Sequence, residues 1–77
     1  MTLDQANKGE DLKIISIHDK VVRAQAFRFG ISEGAQVKCH EKVPKGPVIL
    51  KKNLQEIAVG RNLANKIEIE LVNRGSR

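Results

Sequence analysis

Residues 21–34 read VVRAQAFRFGISEG, and this stretch decides the fold. Val22, Ala26 and Phe29 recur at i, i+4 and i+7, which places all three on one buried face of a short helix. Gly30 directly follows the last periodic residue, where glycine can take the left-handed conformation that closes a helix and lets Ile31 fold back onto the final turn. Gly34 ends a four-residue turn before β-formers resume at Val37. The stretch therefore predicts a helix, a glycine stop and a re-entry into sheet. Just upstream, Asp19 occupies an N-cap position, so the helix is expected over residues 20–29.

Working outward, residues 12–18 (LKIISIH) form a β-branched run and a first strand. Its apolar positions, Leu12 and Ile14, then Ile15 and Ile17, change phase midway, as in a bulged strand or one buried on both faces. Residues 36–43 alternate, with Val37, Cys39 and Val43 on one face and Gln36, Lys38, His40 and Lys42 on the other; Glu41 breaks the pattern. Pro44, Gly46 and Pro47 make the PKGP segment a stiff turn with one permissive residue, which joins this strand to a return strand over 48–52 in a hairpin. Asn53 turns the chain into a strand over 55–59. After Gly60, residues 61–64 suit one helical turn, and a last strand over 66–72 turns Ile67, Ile69 and Leu71 inward, with Glu68 and Glu70 outward. Thr2 and Gln5 have capping-box spacing, enough for one turn before Gly9.

Five short strands, one inserted helix, one late helical turn and no repeats predict a mainly β fold, a small and partly open antiparallel barrel. Only one connection is long enough for a parallel crossover. Seventy-seven residues suit one domain, expected over 1–77 with a loose polar tail at 73–77. The core must be aliphatic, because Phe27 and Phe29 are the only aromatic residues. That scarcity also argues against a base-stacking platform, and hence against nucleic acid as the partner. The formal charge of +5 suits an acidic partner, but the basic residues are scattered rather than gathered into a stripe. A single cysteine, Cys39, precludes an internal disulfide and suits a reducing compartment. No apolar run spans a bilayer and no signal-peptide pattern opens the chain, so a cytoplasmic location is expected, with the membrane reached only through a partner.

Chemistry-bearing residues are sparse. Cys39 and His40 are adjacent, so on a strand they point to opposite faces, and neither they nor His18 and Asp19 have metal-ligand spacing. No nucleophile elbow and no phosphate-cradling glycine run is present. The expectation is no catalytic residue, no metal site and no cofactor. What remains is a scaffold with presentable surfaces. Arg23, Arg28 and Phe27 on the helix and Lys45 at the hairpin tip are the candidate partner-binding residues. Phe27 either stands at the surface or fills the barrel mouth. Gly30, Gly34, Pro44, Gly46 and Pro47 have structural roles, and self-association through an unpaired sheet edge stays open.

Taken in order, Gly9 before a strand with Leu12, Ile14 and Ile17, the helix ending F-G-I-x-x-G with Val37 after it, then P-x-G-P-V and I-A-V-G-R-x-x-A-x-x-I-x-I resemble the FeoA family. Gln25, Glu33 and Asn53 depart from residues common in that family. The resemblance implies an SH3-like barrel in a cytosolic accessory of bacterial ferrous iron uptake that contacts the cytosolic G-protein region of the FeoB membrane transporter. It implies no catalytic residues. The alternatives are a small basic nucleic-acid-binding barrel and a metal-sensing SH3-like domain akin to that of iron-dependent repressors.

Overall fold

The computed structural model describes residues 1–72, so the tail expected at 73–77 lies outside the described residues. In chain order the elements are a single 3₁₀ turn at Leu3–Gln5, β1 (Asp11–Ile17), α1 (Lys20–Arg28), β2 (Gln36–Lys42), β3 (Val48–Lys52), β4 (Gln55–Val59), α2 (Arg61–Ala64) and β5 (Ile67–Leu71). The five strands make one antiparallel sheet in the order β4-β3-β2-β1-β5. The sheet curls around one aliphatic core that includes Leu12, Ile14, Ile17, Val48, Leu50, Ile67 and Ile69, an SH3-like barrel.

The phase change in β1 is a bulge. Ile14 pairs with Ile69 and Ser16 with Glu68, so Ile15 is the extra residue and turns outward while Ile17 returns to the core. A second shift lies in β2 between Cys39 and Glu41, where sequence alternation breaks. Its consequence is a correction: Val43, expected inward with Val37 and Cys39, lies beyond the bulge and past the strand end and is exposed. Leu71 is likewise half-exposed rather than inward, since it sits on the last residue of β5.

The N-terminal turn does more than its length suggests. Its capping box forms, Leu3 and Ala6 are fully buried, and Met1 O accepts from Ile69 N at 2.8 Å, so this segment runs along the outer edge of β5.

Helix α1 starts where Asp19 accepts from Val21 N (2.9 Å) and Val22 N (3.1 Å). It ends in a Schellman motif: Ile31 N donates to Ala26 O at 2.9 Å, Gly30 N to Phe27 O at 3.1 Å, and Gly30 holds φ +78°. Val22 and Ala26 are buried as expected, but Phe29 is not. The helix stops at Arg28, the chain reverses through Phe29 and Gly30, and the returning Ile31 takes the core position over the last turn, which leaves Phe29 47% exposed. Phe27 does not fill the barrel mouth either; at 75% exposed it stands in solvent.

At the β2–β3 hairpin the left-handed residue is Lys45 (φ +60°) rather than the glycine beside it. Gly46 is needed for room, because a Cβ there would lie 2.8 Å from Val43 Cγ1. Pro47 O accepts from Val43 N at 3.1 Å to close the turn that Pro44 begins. Arg61 of α2 clamps this tip, its Nε donating to Gly46 O (2.8 Å) and its Nη2 to Val43 O (3.0 Å). Gly34 N donates to Ile14 O at 2.8 Å, which ties the α1–β2 connection to the first strand.

Candidate protein-docking groove

Strand β4 is one end of the sheet, and α1 lies alongside it without adding a strand. Between them opens a groove of about 280 Å³. Its walls are Val22, Gln25 and Ala26 from α1, Phe29 and Ile31 from the reversing chain after it, all of β4, Leu63 of α2 and Ile67 of β5. The groove exists because the sequence splits duties on α1. Val22 and Ala26 are small enough to seat the helix closely on the barrel, and Gln25 and Phe29, one step round the helix, meet no partner element and become a wall.

The end of the groove is pinned by a contact between distant parts of the chain. Lys52, the last residue of β3, donates its ammonium to Gly30 O, so the β3–β4 hairpin is tied to the α1 C-terminus. The loop of that hairpin is Asn53-Leu54, with Asn53 at φ +57° and Leu54 at 99% exposure. Val21 and Phe27 on α1, Phe29 at its C-cap and Leu54 on the hairpin are exposed large apolar side chains, and of these four Phe29 lines the groove.

The sequence-derived candidates fall in three places. Arg28, three residues beyond Gln25, shares its flank of α1 but does not line the groove. Arg23 and Phe27, four apart, share the flank on the other side of the buried stripe. Lys45 is on the β2–β3 hairpin tip held by Arg61. Composition and spacing did not single out Gln25, Ile57 and Leu63 as groove walls, nor the roles of Lys52 and Arg61. The one available signal was the alternation of Ile57 and Val59 in an unaccompanied strand.

Electrostatically, α1 (KVVRAQAFR) carries three basic side chains and no acidic one. Its N-cap carboxylate at Asp19 is held below its ordinary pKa by the Val22 amide first, against the opposing effect of desolvation, with Lys66 (Nζ to Oδ2 3.3 Å) and the Val21 amide adding to the lowering. The carboxylate on the groove wall, Glu56, faces His40 at 3.5 Å. His18 lies in a separate polar cleft with Thr2, Asp19, Asn65, Lys66 and Glu68, and its ring bonds to Ser16 Oγ at 3.1 Å. Cys39 is fully buried, and burial pushes its thiol up. Among the described residues no three His, Cys, Asp or Glu side chains converge as a metal site would require.

The described residues form a small SH3-like antiparallel barrel with an inserted helix and a groove beside β4. A family model for the FeoA domain matches residues 1–71, and the chain belongs to that family. Among solved structures it is similar to the crystal structure of an iron uptake regulatory protein (FeoA), at 22% identity and a TM-score of 0.84 over 94% of this chain and 97% of that one. The solution structure of the FeoA protein from Chlorobium tepidum gives 23% identity and a TM-score of 0.84 over 99% of this chain and 74% of that one. ScaR with bound Cd²⁺ overlays 91% of this chain on 35% of its own, at 21% identity and a TM-score of 0.79. None of the curated proteins matched. At these identities the structural likeness establishes the fold. Among the described residues no helix is long and apolar enough to cross a membrane.

Proposed function

We propose that this protein is a non-enzymatic, cytosolic accessory of ferrous iron uptake that acts by contacting the cytosolic G-protein region of a FeoB-type membrane transporter. The observation that carries the proposal is the family match over residues 1–71, nearly the whole chain. A barrel with one continuous core, a largely apolar groove with half-exposed Phe29 on its wall, and exposed Val21, Phe27 and Leu54 elsewhere on the surface suits a protein whose work is contact rather than chemistry. Arg23, Phe27, Arg28 and Lys45 are the side chains proposed to touch the transporter, from the helix and the hairpin tip.

The test is direct binding between this protein and the soluble cytosolic region of a FeoB transporter, by calorimetry, with GDP, with a non-hydrolysable GTP analogue and without nucleotide. Saturable binding that differs between nucleotide states is the expected result. Absence of binding in every state would overturn the proposal.

A further inference from the structure

Strand register sets two lysines against each other. On the outer face of the sheet Lys38 of β2 lies directly opposite Lys51 of β3, while their neighbours Val37, Cys39 and Leu50 turn into the core. Like charges directly opposite destabilise a sheet, because their Cβ atoms stand only about 5 Å apart. The flanking strands offer a carboxylate on each side, Asp11 opposite Lys38 and Glu56 opposite Lys51. Glu56 meets His40 instead, and among the described residues no ion pair engages Lys38, Lys51 or the adjacent Lys52.

Both lysines line a cleft of about 530 Å³ that is separate from the groove beside β4. Gln36 and Lys38 enter it from the start of β2, Lys51 and Lys52 from the end of β3, Asn53 from the loop that follows, and Asp11 from β1. Three cations against one carboxylate leave an excess of two positive charges, and the side-chain amides of Gln36 and Asn53 add neutral donors. Lys52 is held in place there: its ammonium donates to Gly30 O and keeps further N–H groups free to donate.

We infer that this cleft binds a phosphate-bearing anion, whose oxygens sit between Lys38 and Lys51 and take further bonds from Lys52 and Asn53. The anion supplies the negative charge that the opposed pair lacks, so binding relieves the repulsion that the register imposes. Lysine suits this ligand. An ammonium is a compact point charge that meets a tetrahedral oxyanion from any side, whereas a flat carboxylate is matched by the planar fork of arginine, and no described residue of the cleft is an arginine. An anion of two or more charges is favoured, because it balances the excess in the cleft. A soluble di- or triphosphate and a lipid phosphate present the same chemistry. The cleft shares no residue with the set proposed to touch the transporter and stands independently of that contact.

The experiment titrates the whole protein, ¹⁵N-labelled, with inorganic pyrophosphate at an ionic strength held constant with sodium chloride, and with acetate as the carboxylate control. Expected are saturable amide shifts over residues 36–38 and 51–53 with pyrophosphate and none with acetate. Lys38→Gln and Lys51→Gln should each weaken binding about tenfold or more, the loss of one charge-assisted bond. Lys8→Gln removes the same charge outside the cleft, where Lys8 pairs with Glu41, and should change binding by less than about twofold. Without phosphate, both cleft variants should melt above the wild type by roughly 1–8 °C, because the opposed pair is gone. A purely structural role for these lysines requires the reverse, a lower melting temperature. Absence of a saturable shift, equal binding of acetate, indifference to both cleft substitutions, or cleft variants that melt below the wild type would overturn the inference. Sedimentation with phosphatidylcholine vesicles, with and without phosphatidic acid, then separates the two sources of phosphate. Pelleting that needs phosphatidic acid and is lost in Lys51→Gln assigns the cleft to a lipid phosphate; pyrophosphate binding without such pelleting assigns it to a soluble one.

Discussion

Replacing Gly30 tests the joint that builds the groove. Gly30 sits at φ +78°, where an L side chain costs about 1–2 kcal/mol, and β-branching raises the cost further. A Cβ there would also meet Lys52 Nζ at 3.3 Å. That atom is the end of a flexible chain and can move, but moving it gives up the bond to Gly30 O that ties the β3–β4 hairpin to α1, a net loss of about 0.5–1 kcal/mol. Against this, the substitution stiffens the unfolded chain and returns roughly 0.4–1 kcal/mol. The balance is about 1 kcal/mol for Gly30→Ala and about 2 kcal/mol for Gly30→Val. In a domain of this size that corresponds to a fall in Tm of roughly 4–8 °C and 8–16 °C respectively. Gly30→Asn should lose least, about 0.5 kcal/mol, because Asn tolerates the left-handed region. Thermal unfolding by far-ultraviolet circular dichroism reads all three. A Gly30→Val protein melting with the wild type, or an Asn variant as unstable as the Val variant, would refute the assignment of a left-handed cap to this residue.

Other outcomes follow from the same contacts. Gly46→Ala should destabilise by about 1–2 kcal/mol through its clash with Val43. In a Val43→Ala background much of that cost should vanish, and a denaturation cycle showing additive losses would count against the contact. Asp19 is a carboxylate with a lowered pKa, so its contribution is present above the ordinary carboxylate range and disappears as pH falls through that range toward the folded value. Urea midpoints from pH 7 to pH 3 should therefore decline less steeply in Asp19→Asn, which keeps the capping oxygen, than in the wild type; superimposable profiles would deny the linkage. Cys39 should resist thiol reagents in the native protein and react at the rate of global unfolding, as its burial and raised pKa require. Labelling equally fast with and without urea would contradict this.

What the chain's own residues determined is local. The cap at Asp19, the glycine stop at Gly30, the proline-bounded hairpin, the strand alternations and the small residues at Val22 and Ala26 each specify structure within a few positions, and all were legible. So was the bulge in β1, because a phase change between Ile14 and Ile15 leaves a mark in the pattern. The sequence order of these pieces also carried the family, which covers residues 1–71. The candidate site was less legible. Charge and exposure pointed to Arg23, Phe27 and Arg28 on α1 and to Lys45 at the hairpin tip, but not to a cleft, because a cleft belongs to no single element. Phe29 matched the helical period of a core residue, yet the returning Ile31 holds the core position, and only the chain reversal at Gly30 settles which of the two is buried. Val43 and Leu71 likewise kept strand phase and lost burial where bulge and strand end carried them off the core. The tertiary structure alone set β4 at the end of the sheet, tied Lys52 to Gly30 across 22 residues and opened the groove between β4 and α1. Periodicity fixes which face of an element is apolar, whereas what that face meets depends on strand order and on contacts between residues far apart in the chain.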